Sequence, residues 1–386
     1  TLSPDSAEGA RRFREMVSTA IEQLNAGNLG RAVTMFGLAE QIIRKERVEK
    51  QVAQAIRDRA HESIDAAKVR AFAEKPENHA ALRSVLGFFP ALRPEGLLDA
   101  LREERKRDAR RHFLALLEVH GEPARTAALE RIATELSDSA AGSDWYFLRN
   151  LLYVLRRVPR PDGAPLEAEI DHLFRLSEPD RPAPLVKEAL SNLAQTRHER
   201  AEQVLLARLS QLESALAKAG PAGSADFPQL LDRACAALAR QGTPAALRAI
   251  VEHGLSGSGA PGSAVGRLAH LAGHDLSAHE GLVDRLVKAL RAALPVKILG
   301  LVVGAGPDGD ARHLVQALSG TPHPAVRRLF EEIVRRFPDR ELGARARAAL
   351  EAPEPARRTA EAQGTASLEG DLGVFGLPTL LQTFEQ

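Results

Sequence analysis

DWYFLRNLLYVLRRV (residues 144–158) and PAPLVKEALSNLAQT (residues 182–196) bound the stretch that decides the fold. In each, apolar residues recur three and four apart, which is one face of a helix. Each opens through a helix-starting turn, Asp144 in the first and Pro182 with Pro184 in the second. A charged and polar turn separates them, and the same grammar recurs on both sides. The pattern predicts a chain of helical hairpins.

Composition agrees. Apolar residues make up 44% of the 386 residues, enough for burial, but aromatics are only 4%. Ala and Leu dominate, and small or unbranched side chains favour helices, whereas pleated sheets draw on β-branched and aromatic ones. The class expected is all-α. A single compact core would not extend over so long a chain, whereas a solenoid needs only its neighbours. Lys and Arg total 52 against 51 Asp and Glu, so the net charge is +1 and the strong basic excess of a dedicated nucleic-acid binder is missing. Cys235 stands alone, which points to a reducing, cytoplasmic setting without disulfides. No apolar run reaches the ~18 residues of a membrane span, and no signal peptide opens the chain. It begins at Thr1 and not at Met, as expected of a piece of something longer.

Working outward toward the N-terminus, ARTAALERIATELS and EGLLDALREERKRDARRHFLALLEVHG read as helices with a charged turn and a Gly stop. Residues 38–75 hold no Gly and no Pro and interleave both signs of charge. Ile42, Val48, Val52, Ile56, Ala60 and Ile64 form a narrow stripe there. That predicts one long helix, or one broken once near Arg57–Ala60, with a coiled-coil arm as the alternative. Further back, Phe13, Met16, Val17, Ala20, Ile21 and Leu24 share a face, and Ala26–Asn28 supplies a Gly turn before a second helix near Leu29. Toward the C-terminus, RAEQVLLARLSQLESALA precedes a Gly/Pro-rich connector, residues 219–228. FPQLLDRACAALAR, TPAALRAIVEHGLS, SAVGRLAHLAG, SAHEGLVDRLVKALRAAL, DARHLVQALSG, HPAVRRLFEEIVRRF and ELGARARAALEA follow. Helices of ~10–16 residues with connections of ~2–8 belong to repeat arrays.

These strings carry resemblances. AIEQLNAGNLGRAVTMFGLAEQII resembles one tetratricopeptide-type hairpin, with Gly27, Ala32 and Ala39 where two helices approach. SDWYFLRNLL, APLVKEALSNLA and HPAVRRLFEEIV resemble the second helices of HEAT repeats, over roughly residues 94–352. The resemblance implies a right-handed α-solenoid in which an Arg near the start of the second helix reaches an acidic turn residue. Arg149 and Arg327 hold that place, with Asp144 as acceptor for the first; Lys187 and His323 depart from the pattern. The organisation implied is a TPR-like region with one long helix (1–93), a HEAT-like array (94–352), a linker (353–365) and a tail (366–386). That tail, ASLEGDLGVFGLPTLLQTFEQ, resembles the start of a PATAN-type domain through Gly370, Asp371, Leu372, Leu377, Pro378, Leu380 and Leu381. That family implies response-regulator or motility-machinery partners.

No motif names a reaction. Gly304, Gly306 and Gly309 spell the dinucleotide fingerprint, but it needs a strand–turn–helix inside a βαβ unit, and the reading preferred is a turn between helices. His270, His274 and His279 have two members at helical spacing, yet Gly273 ends that helix and surface or capping roles are expected. The run Arg102–His112 mixes signs and reads as a solvated face, and Cys235 as an inert core thiol. Candidates for partner binding or repeat bracing are Trp145, Tyr146, Arg149, Asn150 and Arg327. The function expected is a non-enzymatic protein–protein scaffold without catalytic, metal or cofactor residues. A HEAT-fold nucleic-acid or DNA-repair protein is the alternative.

Overall fold

The computed structural model describes residues 4–45, 47–137, 144–163, 166–219, 226–256, 263–294, 296–298, 301–303 and 308–352. Among them are nineteen α-helices and one pair of three-residue strands, so the class is all-α. The chain divides into two compact units, Thr1–His172 and Leu173–Gln386, a boundary inside the span expected to form the repeat array.

The first unit holds α1 (Pro4–Asn25), α2 (Leu29–Arg44), α3 (Lys50–Ala60), α4 (Ala66–Ala73), α5 (His79–Phe88), α6 (Pro94–Glu103), α7 (Arg107–His120), α8 (Glu122–Ser137) and α9 (Trp145–Arg157), and the division falls within α10 (Glu167–Leu176). On α1, Phe13, Val17, Ala20, Ile21 and Leu24 are buried, and Ala32, Phe36 and Ala39 of α2 are buried with them. Gly27 turns the chain between the two helices at φ +90°, a conformation side-chain-bearing residues resist.

The single long helix expected after Leu38 is corrected to three pieces, one break coming where the alternative placed it, near Arg57–Ala60, and another that was not expected. The first break follows Arg44, where Val48 turns inward to 6% exposure. The second comes after Ala60. There the Asn25 amide donates to Ser63 O and accepts from the Asp65 backbone N–H, both at 2.9 Å. The Asp65 carboxylate then caps α4 by accepting from Ala67 N at 2.8 Å. Tertiary contacts override helix propensity here.

Aromatics are scarce, but Phe36, Phe88 and Phe89 converge with ring centroids 4.9, 5.3 and 5.1 Å apart. Each ring contributes roughly 1.5–3 kcal/mol by burial. Close packing then steps along the chain: α5 meets α7, α6 meets α8, and α7 meets α9.

The second unit continues with α11 (Ala183–Gln195), α12 (Glu199–Ala219), α13 (Phe227–Gln241), α14 (Pro244–Leu255) and the short α15 (Ser263–Gly266), which runs into a 3-10 segment, Arg267–Leu271. After α16 (Glu280–Ala293) come β1 (Val296–Ile298), β2 (Leu301–Val303), α17 (Asp308–Leu318), α18 (Pro324–Arg336) and α19 (Glu341–Glu351). Ala234, Ala237 and the buried Leu230, Leu231 and Leu238 let α13 pack closely against α11, α12 and α14. Turns meet backbone to backbone as well. A Cβ on Gly320 would lie 2.7 Å from Gly273 Cα, in a turn where Gly273 itself has φ +82°.

The Gly-rich stretch is more than the inter-helix turn expected. β1 and β2 pair antiparallel, Val296 with Val303 and Ile298 with Leu301. A dinucleotide fold requires parallel strands joined by a crossover helix, and this ribbon has neither. Gly304, Gly306 and the PATAN-like tail lie outside the described residues.

Candidate functional site

Four of the five expected residues sit together on the first turns of α9. The Asp144 carboxylate accepts from the backbone N–H groups of Tyr146 and Phe147 at 3.0 and 3.1 Å, which starts the helix. Trp145 and Tyr146 are half-buried with ring centroids 4.0 Å apart. Phe147 is buried beneath the Arg102 guanidinium, 5.1 Å from its ring centroid. Arg149 and Asn150 are half-buried one turn on.

The Asp144 bonds are those to the helix start, and no Arg149–Asp144 ion pair is present among the described residues. Arg327 belongs to α18 in the other unit, is exposed, and pairs with Glu331 of its own helix at 3.3 Å. His323, standing where the resemblance wants an acid, caps α18 by accepting from Ala325 N at 3.2 Å. Lys187 bonds Gln229.

A different set of polar side chains ties neighbouring helices together. The last four carbonyls of a helix have no partner within it and carry the negative end of its dipole. Arg57 of α3 donates to Phe88 O at the end of α5 at 2.6 Å and lies over the Phe88 ring. Arg83 of α5 donates to Val119 O near the end of α7 at 3.0 Å. Arg125 of α8 donates to Leu155 O and Val158 O at the end of α9.

The second unit repeats the device. Arg208 of α12 donates to Phe174 O and to Ser177 Oγ, its guanidinium 4.2 Å from the Phe174 ring centroid. Gln241 of α13 donates to Leu193 O and Thr196 O, at 3.1 and 3.2 Å, where α11 ends. Burial pushes the Arg57 and Arg208 pKa values down from the usual arginine range. A guanidinium offers five donors in a planar fork, so one side chain serves two carbonyls.

One of these clamps, Arg125, grows into a buried cluster, and a second buried cluster stands apart from them. In the first unit, Arg125 grips both oxygens of Glu169 at 2.7 and 2.8 Å, and Arg160 adds a bond of 2.8 Å to Oε1. Arg125 and Glu169 are 5% and 4% exposed. In the second unit, His253 is bonded to Glu213 and to Arg267, and Arg267 also donates to Pro228 O at the start of α13.

The signal for these residues was present in sequence as an arginine inside an apolar stripe. Arg208 falls between Leu205, Leu209 and Leu212, and Arg125 lies beside Ala124, Ala127 and Ala128. Periodicity alone takes such positions as polar interruptions.

The three histidines do not share a helix. His270 bonds Asp232 at 2.8 Å, His274 faces Gly242, and His279 precedes α16. Burial pushes the Cys235 thiol up to about 12, which keeps it protonated and unreactive at neutral pH. Among the described residues, no three His, Cys, Asp or Glu side chains are grouped to hold a metal ion. No helix there is long and apolar enough to cross a membrane. A scan against protein-family models finds no match, and no curated protein matches the chain.

Proposed function

We propose that this chain is a non-enzymatic binding scaffold of the cytoplasm, a right-handed α-solenoid of HEAT-like hairpins that holds a protein partner along successive helices. The observation that carries this reading is where the arginines that bond between helices reach. Arg57, Arg83, Arg125 and Arg208 go to the ends of nearby helices. Close contacts within each unit run between helices one to three places apart in the chain. That is the arrangement in which each repeat needs only its neighbours and the surface is left for recognition.

The half-buried Trp145 and Tyr146, with Arg149 beside them, are the residue types that anchor protein interfaces. Through its resemblance to a PATAN-type start, the tail ties the scaffold to a response regulator or motility component. A strand-rich module encoded beyond Gln386 supports that attribution; a stop codon there removes it.

The test is a binding panel on the purified chain. A protein partner is expected to protect amides along consecutive helices, with Trp145→Ala weakening it at least about tenfold. A nucleotide that raises the melting temperature would overturn the reading in favour of an enzyme. Duplex DNA binding with a steep salt dependence would overturn it in favour of nucleic-acid recognition.

A further inference from the structure

His253 of α14 is 5% exposed and stands between Glu213 of α12 and Arg267 of the 3-10 segment. Arg267 Nη1 lies 3.1 Å from His253 Nε2. A guanidinium has only donors, so Nε2 must be the acceptor and the imidazole is neutral. Its proton is then on Nδ1, which donates to Glu213 Oε1. Arg267 is itself 4% exposed; its other bond runs to Pro228 O at 3.2 Å, and its Nε is buried without a hydrogen-bond partner. A buried cation is thus held by two neutral acceptors, one of them titratable.

We propose that Glu213, His253 and Arg267 form an acid-operated latch on the segment Ser263–Leu271. While the imidazole is neutral it holds Arg267. A proton taken up at Nε2 removes the acceptor and sets two cations against each other, in a site too dry to screen them. The ring keeps its Nδ1–H bond to Glu213 and gives up Arg267.

The other charged and titratable groups around the latch set how far it opens. From α13, Asp232 bonds His270 on the same segment at 2.8 Å and holds the far end. Cys235, also from α13, is a neutral thiol near Arg267. His313 of α17 lies against Gly266. On α16, Arg285 is engaged by Glu252 of α14 at 3.7 Å. Opening therefore centres on Ser263–Arg267 and hinges at His270.

Hydrogen exchange of the full chain, corrected for intrinsic rates, tests the latch. From about pH 7.5 to about pH 5.5, protection of Ser263–Leu271 should fall about tenfold while that of Glu280–Ala293 changes less than about twofold. His253→Gln keeps an amide oxygen for Arg267 but takes up no proton, so its fall should vanish. Unchanged protection in the wild type, an equal fall in His253→Gln, or a fall shared by α16 would each overturn the proposal. Nitrogen-15 spectra of histidine-labelled wild-type protein give an independent reading should the variant not fold. Nδ1–H with bare Nε2 is expected at the higher pH, and Nε2–H there would overturn it.

Discussion

Arg125 in the first unit and Arg267 in the second are both buried arginines bonded to the backbone of another helix, Arg125 at the end of α9 and Arg267 at the start of α13, and they are neutralised differently. Arg125 meets the Glu169 carboxylate, which Arg160 also grips, and two backbone carbonyls. Arg267 meets an imidazole and one carbonyl, with the carboxylate of Glu213 one residue removed. The first arrangement sets one carboxylate between two guanidiniums and contains no imidazole. The second places a titratable acceptor in the middle of the tie. The contrast between these two arginines thus lies in the chemistry of a single acceptor, carboxylate against imidazole.

The largest effect should come from breaking the carboxylate-held tie. Arg125→Ala leaves Glu169 short of a partner in the interior and orphans the carbonyls of Leu155 and Val158. It should cost about 3–5 kcal/mol in urea unfolding. Pairing Arg125→Met with Glu169→Leu should recover most of that loss. A double variant as unstable as the single one would assign the energy to the carbonyl capping and not to the ion pair.

Next comes a purely steric control. Gly320→Ala should destabilise the second unit by about 1–3 kcal/mol, since its Cβ would press on the Gly273 backbone. The loss should be equal at about pH 7.5 and about pH 5.5, unlike that at the imidazole-held tie.

The smallest effect is the acid sensitivity of the whole fold. Burial lowers the pKa values of His112, His120 and His274. His120 Nε2–H donates to Leu92 O at 2.8 Å, a bond the neutral ring already makes. The unfolded chain then binds more protons below the ordinary histidine value, so stability falls as pH drops through about 6.5 toward the folded values. Thermal melts should show a lower Tm at pH 5.5 than at 7.5, and His120→Gln should flatten part of that slope.

Much of the fold was legible in sequence because its helices announce their ends. Asp144, Thr243 and His323 each cap a helix start, and Gly121 and Gly242 end helices at φ +67°. The α1 stripe read from Phe13 to Leu24 is buried apart from the rim position Met16. The break after Arg44 was not legible, since no Gly or Pro marks it and the burial of Val48 decides it. The β1–β2 ribbon had a signal in its β-branched Val296, Ile298, Val302 and Val303. Of the candidate site, the grouping on α9 was readable. The clamps were not, because an arginine's partner at a helix end is a carbonyl, which carries no sequence signature.

Arg57, Arg83, Arg125, Arg208 and Gln241 each hold a helix to one close by in the chain. Amide exchange of Arg125→Ala beside the wild type tests this most directly. Protection should drop in α8, α9 and α10 while α1, α2 and α16–α19 keep theirs. An equal drop across every helix of the chain would contradict it.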